Sequence, residues 1–293
     1  MSESKISPLV SIITVNYNQN DVTIDFLNSI AKINYPNFEV VVVDNGSEIA
    51  FQYDKKSNRI KIIRSEQNLG FAGGNNLGIN VASGSYYLLI NNDTEVESDF
   101  LEPMVKQMEM HSNIGIISPK IIYYGTDIVQ YAGYTKVNPL TGRNRTIGLG
   151  KRDSDLFNKI NETYYPHGAA MLVNKNALKI VGLMPEEYFL YYEELAWGEL
   201  FRKKGFKIFY NPYSKIFHKE SISIGNKNPL KEYYISRNRI LFMKNFQKNS
   251  HLIVFYLFLV LFSIPKTTLL KLAKLEVSQL KAFYKGILWN IKN

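Results

Sequence analysis

Residues 68–76 read Asn-Leu-Gly-Phe-Ala-Gly-Gly-Asn-Asn, and the apolar run Leu88-Leu89-Ile90 that follows leads into Asn91-Asn92-Asp93. Glycines let a backbone approach a ligand closely, and a helix that starts near Asn75 offers free N–H groups to an anion. A carboxylate at a strand end, such as that of Asp93, can bind a hard cation such as Mg²⁺. Either segment alone is typical of an ordinary loop or turn, but their order and proximity predict a site for a nucleotide diphosphate and its metal.

Apolar, β-branched strands alternate with helices along the chain. We predict strands at residues 10–16, 38–43, 60–63, 86–90, 114–122 and 165–173, helices at residues 21–31, 75–82, 192–204 and up to Met110, and a mobile loop at residues 138–152. This alternation predicts an α/β fold with a Rossmann-like, mostly parallel central sheet and flanking helices. Such sheets bind ligands at the carboxyl ends of their strands.

Composition limits the class of protein. With 293 residues, of which 45% are hydrophobic and 21% are charged, the chain can bury a large core. The absence of cysteine excludes disulfides, thiolate metal sites and cysteine nucleophiles. The N-terminus is polar and has no apolar segment typical of a secretory signal, which predicts a cytoplasmic protein.

The positive charge is concentrated at the C-terminus. Of the net charge of +9, eight lysines and one glutamate place +7 on residues 244–293. The uncharged run at residues 252–264 ends at Pro265 and is shorter than the roughly 20 residues that a spanning helix needs. Beyond it, one helical face is apolar and the adjoining face is basic. The apolar face consists of Leu270, Ala273, Val277, Leu280, Tyr284, Ile287 and Leu288, and the basic face consists of Lys271, Lys274, Lys281 and Lys285.

This pattern predicts C-terminal amphipathic and apolar helices that bind an anionic membrane surface. The alternative is a helical hairpin that packs on the domain or forms a homodimer. A nucleic-acid partner is not favoured, because the tail has no arginine and no base-reading module.

Several motifs occur in an order that is specific as a set. They are Thr14-Val15-Asn16-Tyr17-Asn18, residues 41–47, residues 68–76, Asn91-Asn92-Asp93-Thr94, residues 168–172, residues 189–194, His218 with Ser221, and Arg237-Asn238. The chain resembles family 2 glycosyltransferases with the GT-A fold, specifically the rhamnosyltransferase-like branch that builds bacterial surface polysaccharides. The resemblance implies a GT-A domain at residues 1–243, with a nucleotide-binding half at about 8–100 and an acceptor and catalytic half at about 101–243. The basic region at 244–293 would associate with a membrane.

The resemblance also implies roles for individual residues. It implies nucleotide binding by Thr14, Tyr17, Asp44, Gly73 and Asn91, donor-sugar binding by Asn92, Asp93 and Gly168, a Mg²⁺ or Mn²⁺ site at Asp93 and His218, and a diphosphate or acceptor contact by Arg237. Asp44 would accept a hydrogen bond from the pyrimidine ring, although Asp before Asn-Gly-Ser is also an ordinary turn former. His218 could equally be a surface loop residue.

For catalysis, the resemblance implies that Glu194 is the general base and that Glu193 supports it. Two glutamates at a helix start also interact favourably with the helix dipole, which is the simpler interpretation of the pair. The chain departs from the family pattern at three positions. Asn91 replaces the first acid of the metal motif, and Ala196 and Leu200 replace an Asp and an Arg that would form an i, i+4 ion pair.

The function implied is that of an inverting, metal-dependent glycosyltransferase of O-antigen or capsule type synthesis. It would move a sugar from a pyrimidine nucleotide to a saccharide acceptor, with a lipid-linked one favoured, at the inner face of the cell membrane. The resemblance favours dTDP-rhamnose as donor, with UDP-hexose or UDP-N-acetylhexosamine close behind. One alternative is a nucleotidyltransferase, although its Arg and Lys after the first strand are missing; a catalytically impaired membrane adaptor is another, kept open by Asn91 and Ala196.

Overall fold

A computed structural model describes residues 7–54, 57–219 and 228–292, so Ser221 lies outside the described residues. The strands are β1 (Val10–Asn16), β2 (Phe38–Asn45), β3 (Ile60–Ser65), β4 (Tyr86–Ile90), β5 (Thr94–Val96), β6 (Ile114–Tyr123), β7 (Ile128–Tyr131), β8 (Lys151–Arg152), β9 (Asn161–Glu162), β10 (Ala170–Asn174) and β11 (Lys207–His218). The helices are α1 (Asn20–Ile30), α2 (Gly70–Val81), α3 (Leu101–Met110), α4 (Lys175–Val181), α5 (Glu193–Lys203), α6 (Pro229–Phe246), α7 (Asn249–Phe258), α8 (Ile264–Ala273) and α9 (Val277–Lys292).

One mixed sheet organises the fold, with the strand order β3-β2-β1-β4-β10-β6-β11-β5. The first four strands in this order pair in parallel, which confirms the predicted Rossmann-like half. Strand β10 runs antiparallel to both β4 and β6, and β11 runs parallel to β6 and antiparallel to β5. The carboxyl ends of β1, β2 and β4 therefore meet at one edge, close to the end of β11.

Helices cover both faces of the sheet. Alternate residues of β2 point to opposite sides, so Val40 and Val42 belong to one apolar cluster and Val41 and Val43 to another. Helices α1 and α3 pack into the first cluster, and α2, α4 and α5 pack into the second. Burial on both faces explains why the parallel strands read as continuous apolar runs.

The glycine-rich segment is helical, so the predicted turn before Asn75 is wrong. Helix α2 begins at Gly70, whose φ of +74° favours glycine. A Cβ at Gly74 would lie 3.0 Å from Val15 of β1, and one at Gly78 would lie 2.4 Å from Ile13. The glycines therefore let α2 approach the sheet closely, and this tertiary contact overrides their low helix propensity.

Two further predictions on the acceptor side are wrong. The strand predicted at residues 165–173 is confined to β10, because the backbone turns at His167, whose C=O accepts from the N–H of Ala170. The polar stretch predicted as a mobile loop folds back on itself as a hairpin at residues 135–145. Its backbone hydrogen bonds join Thr135 to Arg145 and Asn138 to Arg143 at 3.0 and 2.9 Å.

The expectation that the apolar segment of the tail is too short for a spanning helix is also wrong. Helices α7 and α8 are joined by a π-helical turn (Leu259–Ser263) into one helix, Asn249–Ala273, of 25 residues. Proline clashes with the carbonyl one turn earlier in a regular helix, and the altered turn directly before Pro265 changes that geometry. This helix is long and apolar enough to cross a membrane, and 11% of its most apolar window is buried.

The single amphipathic helix predicted for residues 270–288 is interrupted at Leu275, whose φ is +55°. Lys271 pairs with Glu232 at 2.8 Å and so does not join a free basic face. Helix α9 packs on α6, where a Cβ at Gly286 would lie 2.2 Å from Ser236 Oγ. Packing on the domain, the alternative to membrane binding, therefore describes α9, whereas most of Asn249–Ala273 is exposed. The proposed boundary at residue 243 falls within α6.

Candidate active site

Antiparallel pairing between β5 and β11 brings together two residues that are far apart in the sequence. His218 is the last residue of β11 and lies opposite Thr94, the first residue of β5. Asp93 therefore lies beside His218, and its Oδ1 is 3.1 Å from the Nε2 of the imidazole. Both side chains are buried. The structure thus joins the two residues that the sequence assigned to a metal.

Gln130 of β7 orients the imidazole. The Nδ1 of His218 lies 2.8 Å from the Oε1 of Gln130, so Nδ1 carries the proton that is donated to this oxygen. The Nε2 of a neutral ring then presents its lone pair to Asp93 Oδ1, which has no hydrogen-bond partner. Two electron-rich atoms that face each other out of solvent need a cation between them or a proton on one of them, and divalent metals accept such ligands.

The asparagines before Asp93 are held differently. The amide nitrogen of Asn91 lies 3.5 Å from His218 Nε2, so Asn91 borders the site. Asn92 turns towards the first strands and donates to Thr23 Oγ1 at 2.8 Å, and Thr23 in turn donates to Asn16 at 2.9 Å. No group of three histidine, aspartate or glutamate ligands occurs within the described ranges, so the remaining coordination of a metal at Asp93 and His218 would come from other oxygens.

The acidic pair forms the first turn of α5, as predicted. The Glu193 carboxyl is buried, and burial together with the charge of Glu194 raises its pKa well above the usual value. Burial also raises the pKa of Glu194 to about 7, while backbone N–H groups at the helix start oppose this shift. A carboxyl that is half ionised near neutral pH can accept a proton from a hydroxyl and release it again.

Aromatic side chains connect the acidic pair to the Asp93 site. Burial raises the pKa of Tyr134 well above its usual value, and the charge of Glu194 adds to the effect. The ring of Tyr134 stacks on His167 with centroids 5.7 Å apart. The pKa of His167 is lowered to about 3, first by burial and then by the neighbouring imidazole of His218. Tyr134, His167 and Gln130 were not predicted, because no local pattern distinguishes them from core residues.

The segment before α5 has unusual backbone geometry. Phe189, Tyr191 and Tyr192 have φ values of +61°, +67° and +74°. Residues other than glycine rarely adopt this backbone region. The amide nitrogen of Asn238 in α6 lies 2.8 Å from each of the carbonyl oxygens of Tyr188, Leu190 and Tyr191. Asn238 therefore holds the backbone that leads into Glu193 and Glu194.

Arg237, the predicted contact for diphosphate or acceptor, is buried in the same region. Its guanidinium donates to the carbonyl oxygen of Glu187 and lies 4.4 Å from the ring centroid of Trp289 in α9. This arrangement connects α9 to the segment before the acidic pair. A direct contact of Arg237 with a ligand remains a prediction.

The predicted base-pocket residues lie at the ends of β1 and β2. The Asp44 carboxylate is buried and accepts from the N–H groups of Ser47 and Phe51 at 3.2 and 3.1 Å, and it pairs with Arg64 at 3.2 Å. Thr14 is buried, and its hydroxyl has no hydrogen-bond partner. Tyr17 is exposed. The residues that follow it, 18–22, line a cavity of about 560 Å³ together with residues 48–49.

The remaining predicted positions have simple surroundings. Gly73 lies within α2, and Gly168 lies in the turn before β10, where an added Cβ would meet only Phe71 at 3.7 Å. Ala196 is buried against the aromatic cluster that contains Tyr188 and Tyr192. Leu200 packs against the second sheet cluster. Apolar packing thus replaces the ion pair that the family pattern would place at these two positions.

The family model described as Glycosyl transferase family 2 matches residues 11–181. The low-salt glycan biosynthesis hexosyltransferase Agl10 of Haloferax volcanii is 27% identical over 203 residues, which cover 68% of this chain and 63% of that protein. The putative teichuronic acid biosynthesis glycosyltransferase TuaG of Bacillus subtilis is 35% identical over 107 residues, which cover 35% of this chain and 41% of that protein.

Among solved structures, the mannosyltransferase PcManGT from Pyrobaculum calidifontis in complex with GDP-Man and Mn²⁺ has a similar fold. The TM-score is 0.58 at 14% identity, with coverage of 99% of this chain and 88% of that chain. At this identity the likeness shows the fold alone, which is GT-A. The chain spans 27% to 63% of the lengths of the first curated relatives that it matches.

Proposed function

We propose that this chain, which belongs to glycosyl transferase family 2, transfers one sugar from a pyrimidine nucleotide to a saccharide acceptor with inversion at the anomeric carbon. The observation that carries the proposal is the contact between Asp93 Oδ1 and His218 Nε2 at 3.1 Å. The rings of Tyr134 and His167 stack on each other, and Glu194 is an electrostatic neighbour of Tyr134 as His218 is of His167. A candidate metal site and a candidate base therefore share one end of the sheet. The relatives that act in glycan and teichuronic acid biosynthesis support a saccharide acceptor.

Asp93 and His218 would hold a Mg²⁺ or Mn²⁺ ion. The fit rests on the unpartnered Asp93 Oδ1 and on the Nε2 lone pair that Gln130 directs towards it. The presence of Mn²⁺ in the similar mannosyltransferase structure supports a divalent ion. When bound, the ion would neutralise charge on the departing nucleoside diphosphate. Asn91 in place of an acid leaves one fewer carboxylate, so we expect weaker metal binding than in relatives with two acids.

Glu194 would take the proton from the attacking acceptor hydroxyl. Its pKa of about 7 makes the carboxylate available near neutral pH while keeping it basic enough to accept a proton. Burial and the charge of Glu194 also raise the pKa of Glu193, which disfavours a second negative charge beside Glu194. In a single displacement, the hydroxyl oxygen bonds to the anomeric carbon as the bond to the nucleotide breaks, and the proton remains on Glu194.

The donor half would be formed by the ends of β1, β2 and α2, with Thr14, Tyr17, Asp44, Gly73 and Asn91 for the nucleotide and Asn92, Asp93 and Gly168 for the sugar. Family resemblance favours dTDP-rhamnose, and a UDP-sugar is the second choice. Arg237 would reach diphosphate or acceptor only if its stacking on Trp289 changes. Thr14 and Asp44 are buried, so a nucleotide base would reach them only if neighbouring side chains move.

The exposed helix Asn249–Ala273 supports attachment to the cytoplasmic face of a membrane, which would present a lipid-linked acceptor to the site. One edge of this helix, with Phe255 and Leu259, packs on the aromatic cluster around Tyr192. While it is packed in this way, the helix can lie in the interface with its other sides in lipid.

The proposal is tested by incubating the purified chain with nucleotide sugars, Mn²⁺ and saccharide acceptors, and measuring release of nucleoside diphosphate. We expect release with one pyrimidine nucleotide sugar and loss of release in Glu194→Gln and Asp93→Asn. Nucleotide sugar synthesis from a sugar phosphate would instead indicate a nucleotidyltransferase. Absence of release from every donor and acceptor, with the donor still bound, would indicate an impaired adaptor.

A further inference from the structure

The hairpin at residues 135–145 borders an open cavity of about 540 Å³ that belongs to neither the Asp93 site nor the cavity at β1. Its lining includes the cations Lys136, Arg143 and Arg145 and the amides Asn138 and Asn144. Within the described ranges no carboxylate forms an ion pair with any of these three cations. The cavity therefore concentrates positive charge that no carboxylate in the described part of the chain neutralises by an ion pair.

A fourth cation lies behind the hairpin. Arg239 of α6 is buried and donates to the carbonyl oxygen of Thr141 at 2.7 Å and to Ser263 Oγ at 3.1 Å, both of which are neutral. Its pKa is lowered to about 10, first by burial and then by the positive charge of Arg143. The amide nitrogen of Asn144 is shielded from solvent and has no acceptor. Mutually repelling cations and an unused donor are the arrangement that binds an anion.

The hairpin contacts both the catalytic helix and the apolar helix of the tail. The hydroxyl of Tyr192, the residue that precedes Glu193, donates to the carbonyl oxygen of Gly142 at 2.9 Å. On the other side, a Cβ at Gly142 would lie 3.0 Å from the ring of Phe255, which belongs to Asn249–Ala273. An anion in the cavity would thus lie between the candidate base and a surface suited to lipid.

We propose that this cavity binds the phosphate or diphosphate group of a lipid-linked saccharide acceptor, an inference that rests on the proposed transferase function. Arginine guanidinium groups match phosphate oxygens in a bidentate manner. The lipid chain would lie along Asn249–Ala273, and the saccharide would extend towards Glu194. The donor diphosphate is assigned to Asp93 and His218, so the cations of the hairpin are available for the acceptor.

Binding is measured by co-sedimentation of the full chain with phosphatidylcholine vesicles that contain a polyprenyl phosphate or, at matched charge, phosphatidylglycerol. We expect tighter binding to the polyprenyl phosphate vesicles. The double variant Lys136→Gln and Arg143→Gln should lose about tenfold or more of that affinity, since two charge-assisted contacts are removed. Arg143→Lys, which keeps the charge but not the bidentate geometry, should lose part of it.

Arg152→Gln is the matched control, because Arg152 is an exposed arginine of β8 that pairs with Asp127 and does not line the cavity. It should bind both vesicles as the unchanged protein does. Equal binding of the double variant and the unchanged protein would overturn the proposal. The proposal would also be overturned if the unchanged protein bound phosphatidylglycerol vesicles as tightly as polyprenyl phosphate vesicles. The cavity would then be a general site for anionic lipid.

Nucleoside diphosphate titration with Mn²⁺ completes the test. The double variant should bind the nucleotide normally; a loss there would assign the cavity to the donor and overturn the proposal. The vesicle experiment requires no sugar transfer, so failure of the proposed transferase activity is detected separately, by the absence of nucleoside diphosphate release with soluble acceptors.

Discussion

The side-chain amide nitrogen of Asn238 lies 2.8 Å from the carbonyl oxygen of Tyr191, a residue with a φ of +67°. The same nitrogen reaches the carbonyls of Tyr188 and Leu190, so one side chain of α6 holds the turn that delivers Glu193 and Glu194. Left-handed conformations of such residues cost about 1–3 kcal/mol each and persist only when their surroundings enforce them. Asn238 is therefore a positioning residue for the acidic pair.

Asn238→Ala should lower kcat by about tenfold or more, because the turn can relax away from its strained geometry and move Glu194. Nucleoside diphosphate binding should change little. Asn245→Ala is the control, since Asn245 of the same helix bonds to the Glu187 carboxylate and the Tyr188 hydroxyl rather than to the strained backbone. A variant that loses thermal stability but keeps kcat would show that Asn238 is only structural.

Asp93→Asn and His218→Ala should each weaken Mn²⁺-dependent binding of nucleoside diphosphate, whereas Glu194→Gln should leave it near normal. Asp93 and His218, which face each other at 3.1 Å, are the proposed metal ligands, and Glu194 is the proposed base for the acceptor. Gln130→Leu should weaken metal binding by about tenfold or more, because the imidazole loses the acceptor that sets its tautomer. Isothermal titration with and without Mn²⁺ measures all four; equal effects of Asp93→Asn and Glu194→Gln would contradict the division of roles.

Transfer activity should rise with pH as Glu194 ionises and level off above its pKa of about 7. The base acts only as the carboxylate, so kcat/KM measured from pH 5 to 9 should show one ascending limb. Folding is expected to respond oppositely: a carboxyl whose pKa is raised on folding loses stability as pH increases from its unfolded value towards about 7. Glu194→Gln should show a smaller decline in the free energy of unfolding, because Glu193, whose pKa burial also raises, still contributes. A flat activity profile would remove Glu194 as base.

Asp44→Asn should reduce discrimination between pyrimidine and purine nucleotides, since a hydrogen bond to a charged group contributes roughly 1.5–3 kcal/mol. Arg64→Gln provides the comparison, because it removes the ion pair of Asp44 and leaves the carboxylate in place. We expect Arg64→Gln to keep the pyrimidine preference. If both variants melt at lower temperature and neither alters nucleotide preference, Asp44 is a turn residue only.

Leu257→Lys and Leu261→Lys should release the full chain from lipid vesicles without lowering its melting temperature. Both side chains are more than half exposed, at 56% and 62%, so they contribute to a surface rather than to the core. Phe255→Ala should instead lower the free energy of unfolding by about 3–5 kcal/mol, because Phe255 is fully buried. Vesicle binding that survives both lysine substitutions would exclude this face as the attachment surface.

Local sequence was sufficient for the parallel half of the sheet. Strands β1, β2 and β4 are continuous apolar runs buried on both faces, and their periodicity and length identify them without tertiary information. The acidic pair at the start of α5 was also predicted, because helix starts have a local signature. The polar ends of these strands marked the site for the same reason.

Only the tertiary structure decided the rest. Helix α2 begins at Gly70 because close packing on Val15 and Ile13 outweighs the low helix propensity of glycine. These packing partners lie in another segment of the chain. Likewise, β5 and β11 must pair before His218 meets Asp93, and α6 must dock before Asn238 can hold the turn at Tyr191. Such contacts depend on the register and docking of distant elements, which the residues of one segment do not encode.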